Sequence, residues 1–144
     1  MKQHPRWVLV ANASSARIFR LENMQTLVEL QAFVHPESRL HEQDLSESTP
    51  GRDFASTGNR RHAMEPKTTH KDHEYALFAK SLSDHLDTAR MKHDFTELTV
   101  IASPSFLGIL RTAMSPATTS LVKKEINKDL VHLSTNEILE HITA

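Results

Sequence analysis

Five consecutive apolar residues, Trp7-Val8-Leu9-Val10-Ala11, constrain this chain more than any other stretch. Their side chains favour strand, and a strand places successive side chains on opposite faces. With no polar member to meet water on either side, the run predicts a central strand covered both in front and behind. Covering two faces of a sheet takes helices on both, which already points to a layered α/β architecture. The 144 residues, 38% of them hydrophobic, are enough for one such domain spanning 1–144.

The flanking sequence fills in that architecture. Asn12-Ala13-Ser14-Ser15 supplies small turn residues before a half-polar run from Ala16 to Glu22. Glu22-Asn23-Met24-Gln25 then leads to a third run, Leu27 to Val34, in which Val28, Leu30, Ala32 and Val34 share one face and Glu29 and Gln31 the other. Gaps this short predict an antiparallel meander. From His35 to about Thr68 the periodicity stops, and a long loop at about 35–68 is expected, of the kind that is either functional or mobile. Thr69 and Asp72 mark a helix start, followed at helical spacing by Tyr75, Phe78, Ala79, Leu82, Leu86 and Ala89, with an end near Lys92. Leu98 to Ala102 reads as a strand. Ser103-Pro104 and Ser115-Pro116 each place a capping hydroxyl before a first-turn proline. Gly108 in Phe106-Leu107-Gly108 is expected to mark a close backbone approach. The lysine-rich stretch from Val122 to Asn127 suits a sheet edge, and Ser134 with Glu137 forms a capping box for a last helix. Together these elements predict a mixed five-stranded sheet with a three-strand antiparallel meander and flanking helices.

Charge narrows the function. Seventeen basic and eighteen acidic residues leave a net charge of −1, so no global cationic field draws the protein to nucleic acid. A local excess does exist: Arg52, Arg60, Arg61, Lys67 and Lys71 face only Asp53 and Glu65 between positions 52 and 71, where His62 and His70 also lie. Arginine forks suit phosphate oxygens, and this segment is the predicted RNA-binding site. The absence of cysteine excludes disulfides and thiolate metal sites. His62, His70, His73 and Glu74 match no metal-binding spacing, and a helix start near His70 disfavours a cation. A two-metal nuclease needs converging carboxylates, yet Asn12 stands where the first strand would have to supply one. No Gly-x-Ser-x-Gly turn is present, and capping accounts for Ser103 and Ser115. No cofactor or metal is therefore expected. No apolar run reaches the ~18 residues of a membrane helix, and the amino-terminal run reads as a strand rather than an export signal, which places the protein in the cytoplasm.

Several motifs carry a resemblance that runs from Trp7 to about Leu139. They are Trp7 to Ala11 with Ala16-Arg17-Ile18-Phe19, Pro50-Gly51-Arg52, Gly58 to Pro66, Pro104-Ser105-Phe106-Leu107-Gly108 and Lys128-Asp129-Leu130. On these the chain resembles the host attachment protein family. The order of elements is similar to that of ribonuclease H-like domains and of the middle domain of class I peptide-chain release factors and Pelota. In release factors the corresponding loop carries a Gly-Gly-Gln tip that assists peptidyl-tRNA hydrolysis. The nearest triplet here, Thr57-Gly58-Asn59, lacks the first glycine and the glutamine. The resemblance thus implies a translation-associated module that binds ribosomal RNA or tRNA without peptide release. Asn59 and His62 are the catalytic candidates left to a hydrolase acting through the loop. The family's name implies a different class of function, a protein–protein interaction factor in attachment to host cells.

Overall fold

A computed structural model describes residues 4–35 and 60–144, with side chains for residues 4–35 and 71–144. The strands are β1 (Arg6–Ala11), β2 (Ser15–Glu22), β3 (Thr26–Val34), β4 (Glu97–Ala102) and β5 (Val122–Asn127). The helices are α1 (Arg60–Met91), α2 (Pro104–Ala113), α3 (Pro116–Thr119) and α4 (Thr135–Thr143). The strands form one mixed sheet in the order β3-β2-β1-β4-β5. β1 is antiparallel to β2 and parallel to β4, β2 is antiparallel to β3, and β4 is parallel to β5.

The apolar run does occupy the centre. Trp7, Leu9 and Ala11 enter one core with Phe78, Leu82 and Leu86 of α1 and Phe106 and Leu110 of α2. Val8 and Val10 enter a second core with Phe19, Leu21 and the α4 residues Ile138 and Ile142. Trp7 stacks on Phe95 at 5.0 Å between ring centroids, closing the first core at the amino end of β1. The predicted meander, the short helix after Ser115 and the charged edge strand β5 are all present. So is the capping box: Glu137 N–H donates to Ser134 Oγ at 3.2 Å, and Ser134 N–H donates to Glu137 Oε1 at 2.9 Å.

Three expectations fail for identifiable reasons. α1 begins at Arg60, so 60–68 is helix rather than loop, and Thr69 and Asp72 lie inside it. Apolar periodicity is silent there because the residues are mostly polar. Yet Arg60, Arg61, Ala63, Met64, Glu65 and Lys67 are strong helix formers, and a long helix tolerates the hydrogen bond that Pro66 removes. Residues 36–59 of the predicted loop lie outside the described residues. In β3 the alternation breaks at a bulge: Phe19 faces Glu29 and Ile18 faces Gln31, leaving Leu30 as the extra residue. Leu27 is buried in consequence, while Leu30 and Val34 are 40% and 52% exposed. Gly108 marks no close approach, since a Cβ there would meet nothing within 4 Å.

The hairpin between β2 and β3 turns on Asn23 and Met24, both left-handed at φ 55° and 57°, with Gln25 N–H donating to Glu22 O at 2.9 Å. Paired positive φ values twist the turn in the sense the strands require. On the other side, Asp87 of α1 anchors α3. Its Oδ1 accepts from Ser115 Oγ and Thr118 Oγ1, each at 2.6 Å, with Arg90 Nη2 at 3.7 Å. Burial pushes the Asp87 carboxyl up, but the hydroxyls of Ser115 and Thr118 and the Arg90 charge together hold it below its ordinary value.

Two outcomes follow. Gly108→Ala should stabilise the protein by about 0.5–1 kcal/mol, because helix propensity improves with no clash, and a raised melting temperature checks it. Because its folded-state pKa is lowered, Asp87 contributes stability that is present above its unfolded pKa and lost as pH falls through the folded one. Asp87→Asn should therefore cost about 1–2 kcal/mol at pH 7 and flatten the acid limb of stability below about pH 4, measured by denaturant titration across pH.

Candidate functional site

Because β1, β4 and β5 run parallel, their carboxyl ends fall on one side of the sheet, at Ala11, Ala102 and Asn127. That side of an open α/β sheet is where ligands bind, since loops diverge there and leave a crevice. The residues that follow the three strands are Asn12-Ala13-Ser14, Ser103-Pro104 and Lys128-Asp129. Asn12 organises this end. Its Oδ1 accepts from the backbone N–H groups of Ser14 and Ser15, both at 2.9 Å, which turns the chain from β1 into β2. Its Nδ2 donates to both carboxylate oxygens of Asp129, at 3.2 and 3.3 Å.

Arg17 on β2 locks the same loop from the other side. Its Nη1 donates to the carbonyls of Val131 at 2.9 Å and Leu133 at 2.8 Å, while Nε and Nη2 grip Glu29 at 3.1 and 2.9 Å. Its guanidinium lies 5.0 Å from the centre of the Phe19 ring. Two motifs more than a hundred residues apart, Ala16 to Phe19 and Lys128 to Leu130, thus meet around one arginine and one asparagine. With Asn12 spent on Ser14, Ser15 and Asp129, the end of β1 presents an engaged amide where a metal nuclease would need a carboxylate. Among the described residues, no three His, Asp or Glu side chains converge as a metal site.

Two buried polar atoms at this end, His35 Nε2 and Ser103 Oγ, have no hydrogen-bond partner among the described residues. Ser103 precedes α2, but its hydroxyl makes no capping bond, which corrects the capping role expected for it; Ser115 does cap, accepting from Thr118 N–H at 3.2 Å. The reason is local: Phe106 N–H, the donor a capping hydroxyl would take, already donates to the Ser103 carbonyl at 3.0 Å. His35 closes β3, donating its N–H to Ser14 O at 2.8 Å, and its ring stacks on Phe78 at 5.0 Å. Phe78 in turn lies 5.9 Å from Phe106. An unpaired buried group costs about 1–3 kcal/mol, so both atoms mark a polar spot that the packing does not require. The sequence signalled neither. His35 sits where the apolar pattern stops and reads as the first loop residue, and Ser103 looks like any serine before a proline.

Of the predicted RNA-binding residues, Arg52 lies outside the described residues, as does the catalytic candidate Asn59. Arg60, Arg61, Lys67 and Lys71, together with His62, belong to α1, so the basic segment is helical rather than a loop. Arg60, Lys67 and Lys71 recur at spacings of seven and four, which is a single stripe on a helix. The α-carbon rise makes this 32-residue helix about 48 Å long, against about 20 Å for a six-residue strand. Since α1 passes His35 at Phe78 and ends beside the start of β4, the turns before Phe78 run toward the carboxyl ends of the strands. Glu74, one turn before Phe78, is buried at 8% exposure.

The remaining candidates separate cleanly. Arg111 of α2 grips Glu125 of β5 through Nε at 3.0 Å, and that hydrogen bond and charge raise its pKa. His73 is exposed in mid-helix, so the objection drawn from a helix start does not apply to it. His85 meets Phe33 edge-on at 5.1 Å, and burial, then the Lys92 charge, lower its pKa against the opposing pull of Asp94. Among the described residues, no helix is long and apolar enough to cross a membrane.

Comparison with known proteins gives this geometry a context. Over 88 residues the chain is 36% identical to an uncharacterized protein of Rickettsia prowazekii (strain Madrid E). The overlap covers 60% of this chain and 52% of that protein, so the chain spans about half the length of the curated relative it matches. A family model described as "Protein required for attachment to host cells" matches residues 7–142, from the first core residue of β1 into the last turn of α4, and the chain belongs to that family.

Proposed function

We propose that this protein is an RNA-contacting module of the translation apparatus, meeting phosphates through the basic early turns of α1 at the carboxyl end of the sheet. One observation carries the reading. Arg60, Arg61, Lys67 and Lys71 fall within the first twelve residues of a helix whose first turn has no acidic residue. A helix start is already partly positive, and acidic residues there would be the stabilising choice. Adding arginines instead concentrates positive potential, which favours a polyanion. The strand order β3-β2-β1-β4-β5, with an antiparallel meander and parallel β1, β4 and β5, supports a ribonuclease H-like, release-factor-like frame for this module. The tie between Asn12 and Asp129 argues for binding rather than phosphodiester cleavage.

The family description favours a second reading, a protein–protein interaction factor in attachment to host cells. Fractionation of intact cells separates the two: recovery at the outer surface supports attachment, and recovery with ribosomes in the cytoplasm supports the first reading.

Binding of ribosomal RNA fragments across a salt series tests the proposal directly. Replacing Arg60 and Arg61 together by Ala should weaken binding and reduce the slope of log K against log salt by about 1–2, since each lost phosphate contact contributes roughly 0.7–0.9. Thermal stability should change little, because alanine keeps the helix propensity that arginine has. Equal slopes for variant and parent would overturn it.

A further inference from the structure

The two edges of the sheet are built differently. β5 ends one side with Lys123, Lys124 and Glu125, all exposed, the usual protection against pairing with another chain. β3 ends the other side with nine residues, Thr-Leu-Val-Glu-Leu-Gln-Ala-Phe-Val, about 30 Å of strand with no lysine, arginine or proline. Among the described residues, no strand lies beyond it. Its single charge, Glu29, is neutralised by the two-pronged contact from Arg17. Leu30 and Val34 stand 40% and 52% exposed on it. The bulge at Leu30 is the one blunting device this edge carries.

We propose that β3 pairs with β3 of a second copy of this chain, antiparallel about a two-fold axis at Leu30, joining two five-stranded sheets into one of ten. A second copy is the occupant favoured by the strand's own sequence. A two-fold axis makes an interface self-complementary, so position i of one copy meets position 60 − i of the other. This register sets Leu30 against Leu30, Glu29 against Gln31, Val28 against Ala32 and Thr26 against Val34. Apolar meets apolar, the acid faces an amide, and no like charges oppose each other. Neighbouring registers do worse: centring on Glu29 sets the two acids face to face. A single strand edge falls below the area of a permanent interface, so the pairing is reversible and depends on protein concentration.

The chain has no cysteine, so one introduced cysteine reports one position. Directly opposed strand residues stand about 4.5–5.5 Å apart, within disulfide reach. Under mild oxidation Leu30→Cys should form a disulfide-linked dimer. Thr26→Cys alone should not, but mixed with Val34→Cys it should give the heterodimer. In sedimentation equilibrium from about 1 μM to 1 mM, the parent should dimerise, and Leu30→Lys with Val34→Lys should stay monomeric with an unchanged melting temperature. A parent that is monomeric throughout would overturn the proposal. So would a dimer that survives both lysines, or cross-linking of Thr26→Cys to itself as fast as Leu30→Cys.

Discussion

Burial of β1 on both faces is the constraint on which the rest of this structure depends. Val8, Leu9, Val10 and Ala11 are wholly inaccessible to water, and each large apolar side chain so buried is worth about 1.5–3 kcal/mol relative to exposure. Because alternate residues point into opposite cores, no single layer of helices could cover the strand. α1 and α2 are required on one side and α4 on the other. The strand's backbone is equally committed, to β2 along one edge and β4 along the other. Parallel pairing with β4 demands a crossover, and α1 supplies it. The same crossover sets the direction of α1, and with it the end of the sheet toward which its early turns run.

That end draws its order from polar contacts between distant segments. Asn12 fixes the turn out of β1 and holds Asp129 after β5, while Arg17 holds the carbonyls of Val131 and Leu133. The turn after β1 and the segment after β5 are thereby tied into one rim. Within it, Ser103 Oγ and His35 Nε2 are buried with no hydrogen-bond partner among the described residues. At the opposite end the contacts are of another kind, the stacked rings of Trp7 and Phe95 and the ion pair of Arg6 with Glu97. One end is built as packing and the other as a polar frame.

Much of the fold could be read in the residues, and the misses have physical causes. The central strand was legible because five apolar residues leave no solvated face, and β5 because lysines mark an edge. Ser134 and Glu137 announced α4 through a reciprocal contact that depends only on spacing. The start of α1 was not legible from apolar periodicity, because the turns from Arg60 to Thr69 are polar and carry a proline. The β3 bulge depends on pairing with β2, which no single strand encodes. Gly108 read as a packing residue only because a helical glycine invites that explanation; the open space around it removes the need. For the site, residue types were legible and their assembly was not. Arg60, Arg61, Lys67 and Lys71 stand out as candidates by charge alone, whereas Asn12, Arg17, His35 and Ser103 make contacts across the sheet that no local pattern announces.

On the proposed reading, the end of the sheet toward which α1's basic turns run is the face that engages an RNA. Amide hydrogen exchange with and without a ribosomal RNA fragment tests that claim most directly. It predicts slowed exchange at Asn12 to Ser15, His35, Ser103 to Phe106 and the early turns of α1, with β1 slowest of all in both states. Protection confined to the opposite end, around Asn23, Met24 and Asp94, or no protection anywhere at saturating RNA, would contradict it.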